Sequence, residues 1–157
     1  MTKTTPEVLQ FWNEFLATLP PEAEKPALSD SWYFCNTPEL ANELGQLVRQ
    51  GTKTATAGLL WSYEAENEPL PRPGQFFVIT DWDHHPLCVI ETSEVEVVPF
   101  DQVGEEQAFL EGEGDRSLAF WREVHWKFFS MECREIGKQP TETMPVVCER
   151  FRLVYTG

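Results

Sequence analysis

The run Gly51-Thr52-Lys53-Thr54-Ala55-Thr56 constrains this chain more than any other. Before it, Leu40, Leu44, Leu47 and Val48 recur at helical spacing, and Thr37-Pro38-Glu39 supplies a helix start. Gly51 stops that helix. A β-prone, Thr-rich run follows, so the chain must pass from helix to strand within a few residues. An extended strand sends successive side chains to opposite faces. Lys53 and Thr56 are three apart, and only a turn or twist at the strand's start brings them to one pocket. An amine beside a hydroxyl activates it for attack if burial lowers the amine's pKa or the substrate supplies charge. The same residues also suit a plain helix C-cap leading into a strand.

The rest of the chain alternates between the two periods. Thr5-Pro6-Glu7 opens a first helix with Val8, Phe11, Trp12, Phe15, Leu16 and Leu19 on its apolar stripe, and Pro20-Pro21 ends it. Residues 22–30 read as a loop, and Ser31 to Cys35 as a short strand or aromatic plug. Gln75 to Trp82, Leu87 to Glu91 and Glu94 to Val98 carry strand signals, with a hairpin turn over Asp81 to Pro86. Helical spacing returns over Val103 to Leu110 and Ser117 to Cys133, and Val146 to Tyr155 alternates as a closing strand. Short strands joined by turns predict an α+β fold, a small mixed β-barrel with flanking helices, rather than a doubly wound sheet.

Charge restricts the partners. The 157 residues carry 26 Asp and Glu against 12 Lys and Arg, a formal net charge of −14. Nucleic-acid backbones are gripped through counterion release by clustered cations. A broad grip on duplex DNA is therefore not expected, while a pocket for a nucleoside or a few nucleotides is. No run of about 18 apolar residues marks a membrane span. Met1 to Thr5 leads into no signal-peptide core, and Cys35, Cys88, Cys133 and Cys148 form no CxxC pair. Reduced thiols in a cytoplasmic protein are the expectation.

Several residues could carry chemistry. Glu111-Gly112-Glu113-Gly114-Asp115-Arg116-Ser117 interleaves acids with glycines, either as an acidic approach to the next helix or as a loop that presents a carboxylate to a pocket. Glu113, with glycine on both sides, is the most freely placed. His125 shares a helical stripe with Leu118, Trp121 and Phe128, which suits a core histidine as well as a ligand contact. Arg122 and Arg116 could hold a phosphate or make surface ion pairs. Trp61, Tyr63, Trp32 and Tyr33 could stack on a base or fill a core. His84-His85 with Asp81 and Asp83 superficially suggests a metal site, but neighbouring strand residues point apart, so a solvated turn is expected.

Taken together, these segments resemble an ASCH domain of the PUA-like superfamily. The resemblance rests on Gly51 to Thr56, Pro73-Gly74, Val89-Ile90-Glu91-Thr92, Glu111 to Asp115, Trp121-Arg122 with His125 and Phe128-Phe129, and Glu149-Arg150-Phe151. It covers roughly residues 30 to 156 and leaves residues 1–29 as an N-terminal helix extension to a domain at 30–157. It implies an RNA-associated module. Small members similar to this chain include amidohydrolases that deacetylate N4-acetylcytidine, and others are reported as ribonucleases. In the amidohydrolase pattern a lysine, a threonine three residues on and a later glutamate act together. They match Lys53, Thr56 and Glu113, with Glu111 the alternative for the acid. Thr56 would be the nucleophile, Lys53 would help deprotonate it, and Glu113 would shuttle a proton to the leaving amine. Substrate contacts would come from Arg122, Arg116, Trp61, Tyr63 and His125. No metal or organic cofactor is expected. The alternative is a single-stranded RNA-binding module or ribonuclease using the same pocket.

Overall fold

In the computed structural model, which describes residues 4–157, five strands form one sheet in the order β1-β3-β4-β5-β2. The expectation for the first three residues lies outside the described residues. β1 (Leu28–Trp32) runs parallel to β3 (Phe76–Thr80). β3 with β4 (Pro86–Pro99), β4 with β5 (Pro145–Tyr155), and β5 with β2 (Ala55–Leu59) are antiparallel. The helices are α1 (Pro6–Ala17), α2 (Pro38–Arg49), α3 (Leu60–Ala65), α4 (Glu105–Glu111) and α5 (Leu118–Glu135), with a 3-10 turn at Phe100–Gln102.

The α+β class with flanking helices is as expected, but the sheet is not closed into a barrel. β1 and β2 remain its two edges. Both edges instead face one cleft: Asp30 and Trp32 line it from β1, and Thr56 and Gly58 from β2. The aromatic segment after β1 and the short α3 border the seam that pairing would have sealed. Where the sequence suggested two strands, β4 is continuous, because a register shift between Thr92 and Glu94 absorbs the irregularity without breaking the pairing with β5. β1 begins at Leu28, inside the expected loop, and α3 was not anticipated: six residues without a side-chain cap give too little periodicity.

Each layer of helix has its own core. Thr5 caps α1 by accepting from the Val8 amide at 3.2 Å, and Val8, Trp12 and Phe15 pack on Val78 and Val89. Leu44 and Val48 of α2 meet Ile79, Cys88 and Ile90. Trp121, Phe129 and Cys133 of α5 meet Leu59, Val146 and Cys148. Burying each such side chain contributes about 1.5–3 kcal/mol, which fixes the frame on which the cleft is built. Among the described residues no helix is long and apolar enough to cross a membrane.

Candidate functional site

The Gly51 segment solves the helix-to-strand passage with a Schellman cap. Gly51 sits at φ +82°, its amide donates to Val48 O and the Thr52 amide donates to Leu47 O, both at 3.0 Å. The chain then turns Lys53 inward. Its side chain is buried, with the residue 1% exposed. Nζ donates to Ala55 O at 2.9 Å, Glu113 Oε2 at 2.8 Å and Glu111 O at 3.4 Å. An ammonium has three donors. All three meet oxygen acceptors here, so the hydrogen bonding calls for the charged form.

Both candidates for the catalytic glutamate, Glu113 and Glu111, lie beside Lys53. Glu111 is the last residue of α4, 1% exposed, with Oε1 3.7 Å from Lys53 Nζ and 3.4 Å from His125 Nε2. Its Oε2 accepts from Gln107 Nε2 at 3.1 Å and Trp121 Nε1 at 2.6 Å. Burial pushes its carboxyl up, yet Lys53, His125 and Trp121 together hold it below the usual carboxylate value. Gly112 lets the chain double back beside it. At φ +72°, a Cβ there would stand 2.7 Å from Thr52 O and 3.1 Å from Lys53 Cα, so glycine permits the approach of the acidic loop to the lysine segment.

The cleft itself has a volume of about 430 Å³. Rings of Trp32, Tyr33, Phe34, Tyr63, Phe77 and Phe128 line it. So do the carboxylates of Asp30, Glu66, Glu68, Glu132 and Glu149, and among the described residues no lysine or arginine does. Thr56 and Glu149 are direct cross-strand partners between β2 and β5, so their side chains share one face. Gly58, two residues on from Thr56, lies under the Tyr63 ring, where a Cβ would come within 3.0 Å of it. Burial first, and then Glu149, push the Tyr63 hydroxyl above its ordinary pKa, which keeps it a hydrogen-bond donor. Cys35 lines the cleft as an exposed residue, and desolvation first, with Glu113 adding to it and Lys53 opposing, pushes its thiol up to about 11. Cys35 is thus a thiol near neutrality, not a nucleophilic thiolate.

Of the residues suggested by sequence, Thr56 and Tyr63 line the cleft. Lys53 lies behind its wall, 5.3 Å from the Phe34 ring centroid, with Glu113 attached. The other four are turned to different tasks. His125 stacks on Trp121 at 4.1 Å, with Nδ1 2.8 Å from Trp121 O. Arg116 stacks on Phe109 and donates to Phe109 O and Thr52 O, bracing the acidic loop. Arg122 donates to Asp101 O and Val103 O. Trp61 packs on the α5 core beneath Lys138. His85 pairs with Asp81 at 3.0 Å in an exposed turn, and the described residues hold no metal-ligand cluster there or elsewhere.

Sequence reasoning gave no role to two cleft residues. Glu149 is 4% exposed, and its Oε2 accepts from Thr92 Oγ1 at 2.7 Å. Burial pushes it above the ordinary carboxylate value, against the pull of Thr92 and Lys53. Its signal was a glutamate directly after the apolar run Val146-Val147-Cys148 of a strand. Glu132 accepts from Ser62 Oγ at 3.2 Å. Burial, reinforced by Glu135 and Glu66 and opposed by Ser62, pushes it from 4.5 up to about 7. A carboxyl whose folded pKa is raised stabilises the fold fully below its unfolded pKa, and that contribution is lost as pH rises through the folded value. Glu132→Gln should therefore flatten a loss of melting temperature that the unmodified protein shows between about pH 4.5 and 7. Thermal unfolding across that window checks it, and identical pH dependence in the two proteins would contradict it.

Comparison with known proteins agrees with this architecture. A family model described as ASCH domain matches residues 30–155. The crystal structure of an ASCH domain from Lactobacillus crispatus is 38% identical, covers 94% of this chain and 93% of its own, and superposes with a TM-score of 0.86. Protein EF3133 from Enterococcus faecalis is 37% identical over 96% of this chain and 89% of its own, with a TM-score of 0.84. Among curated proteins no match is found. With the matched residues spanning the sheet, the acidic loop and α5, the chain belongs to the ASCH domain family, whose PUA-like fold is associated with RNA binding.

Proposed function

We propose that this protein hydrolyses an amide-like bond on a modified nucleoside of the N4-acetylcytidine kind, in the cleft between β1 and β2. The observation that carries this reading is the composition of the cleft: a threonine hydroxyl among aromatic rings and carboxylates, with no lining cation among the described residues. Aromatic rings suit the faces of a base. Carboxylates suit its amino groups and the ribose hydroxyls, and they repel phosphate. Thr56 is the nucleophile. The charged Lys53, held by Glu113 and Glu111, fixes the start of β2 and supplies positive charge behind the reacting groups. An arginine- or lysine-led grip on RNA phosphates has less support, since the guanidinium groups of Arg116 and Arg122 are bonded to backbone carbonyls outside the cleft.

Titration at two salt concentrations separates the two classes. N4-acetylcytidine should bind with an affinity that hardly changes with salt, because no phosphate is neutralised. A short single-stranded RNA should bind more weakly. Tight RNA binding that falls steeply with salt, with no nucleoside binding, would overturn the proposal in favour of an RNA-binding module or ribonuclease.

A further inference from the structure

Acyl transfer to Thr56 requires an acceptor for the hydroxyl proton. Lys53 cannot be that acceptor while its three ammonium protons are engaged by Ala55 O, Glu111 O and Glu113. We propose that Glu149 is the general base for Thr56, an assignment that rests on the hydrolase reading of the cleft.

Four observations converge on Glu149. It is paired directly with Thr56 across the β2–β5 ladder. Side chains at such opposed positions leave the same face with their Cβ atoms about 4.5–5.5 Å apart, close enough for one water to link a hydroxyl and a carboxylate. Both residues line the cleft. The Thr92 hydroxyl holds Oε2 in place, and Oε1 has no hydrogen bond among the described residues. The positive charge of Lys53 favours the ionised form that a base needs, while burial makes that carboxylate more basic than a solvated one.

The steps balance. Glu149 takes the proton from Thr56 Oγ1 as that oxygen bonds the acyl carbon, and the carbonyl π electrons move onto its oxygen. On collapse those electrons return, the C–N bond breaks, and the departing nitrogen takes the proton from Glu149. The products are an acyl-threonine ester and a free amine. A water then attacks the ester, giving its proton to Glu149. Glu149 passes that proton to Thr56 Oγ1 as the C–O bond breaks and the carboxylic acid leaves.

The probe is N4-acetylcytidine, with cytidine release followed by chromatography. Glu149→Gln keeps the shape and the acceptor for Thr92 and should lower kcat by roughly 10²–10⁴-fold with KM little changed. Glu149→Ala opens room beside Thr56, and added formate should restore its turnover in proportion to concentration, which a purely structural role would not allow. Wild-type kcat in Glu149→Gln, or a loss in Glu149→Ala that formate does not relieve, overturns Glu149 as base and leaves the hydrolase reading standing. No cytidine release by the unmodified protein overturns the hydrolase reading and this assignment with it.

Discussion

Replacing Lys53 with methionine should cost about 3–5 kcal/mol of stability at neutral pH, because it removes the lysine charge from a largely buried cluster and leaves the Glu111 and Glu113 carboxylates behind. For a chain of this size that corresponds to a fall in melting temperature of roughly 6–20 °C. Methionine fills nearly the same volume, so a cavity does not explain the loss. The sign with pH follows from Glu111. Its folded pKa is depressed by Lys53, so the stability it contributes is present above the unfolded value and is lost as pH falls through the folded value. The gap between the two proteins should therefore be widest near neutrality and narrow below about pH 4.5. Melting curves at pH 7 and pH 4 measure it. A Lys53→Met variant as stable as the parent at pH 7 would show that the cluster is not held by this charge.

Thr56→Ala should remove nearly all turnover, a loss of roughly 10⁴-fold or more, as expected when a covalent nucleophile is deleted. The fold should barely notice, since Thr56 is a partly exposed residue of an edge strand whose pairing with β5 is made by the backbone. Nucleoside affinity should persist, because the rings and carboxylates of the cleft are untouched. Thr56→Ser retains a hydroxyl at the same ladder position and should retain part of the activity. An alanine variant with unchanged kcat would exclude Thr56 as the nucleophile.

The local chemistry of this site was legible in the sequence, and its pairing was not. Gly51 announced the end of α2, and the two Thr-Pro-Glu starts gave helices capped by Thr5 and Thr37. The acidic loop was recognisable from its alternating glycines, and Lys53 does meet Glu113 across 60 positions of chain. Glu111 joined the same cluster because α4 ends with its side chain turned toward the α5 core. Spacing says nothing about which residues of β2 and β5 oppose one another, so the Thr56–Glu149 pair could not be read before the register was known. The open sheet has the same origin. Strand signals predict strands, but whether β1 and β2 pair depends on what fills the seam between them. Arg122 and Trp61 show the converse, since polar and aromatic residues at suggestive places were taken up by backbone carbonyls and core packing.

Incubation of the purified protein with N4-acetylcytidine, with cytidine and acetate quantified together, tests the central claim most directly. The account predicts equimolar release of both by the unmodified protein and none above background by Thr56→Ala. No release by the unmodified protein, or equal release by the alanine variant, would contradict it.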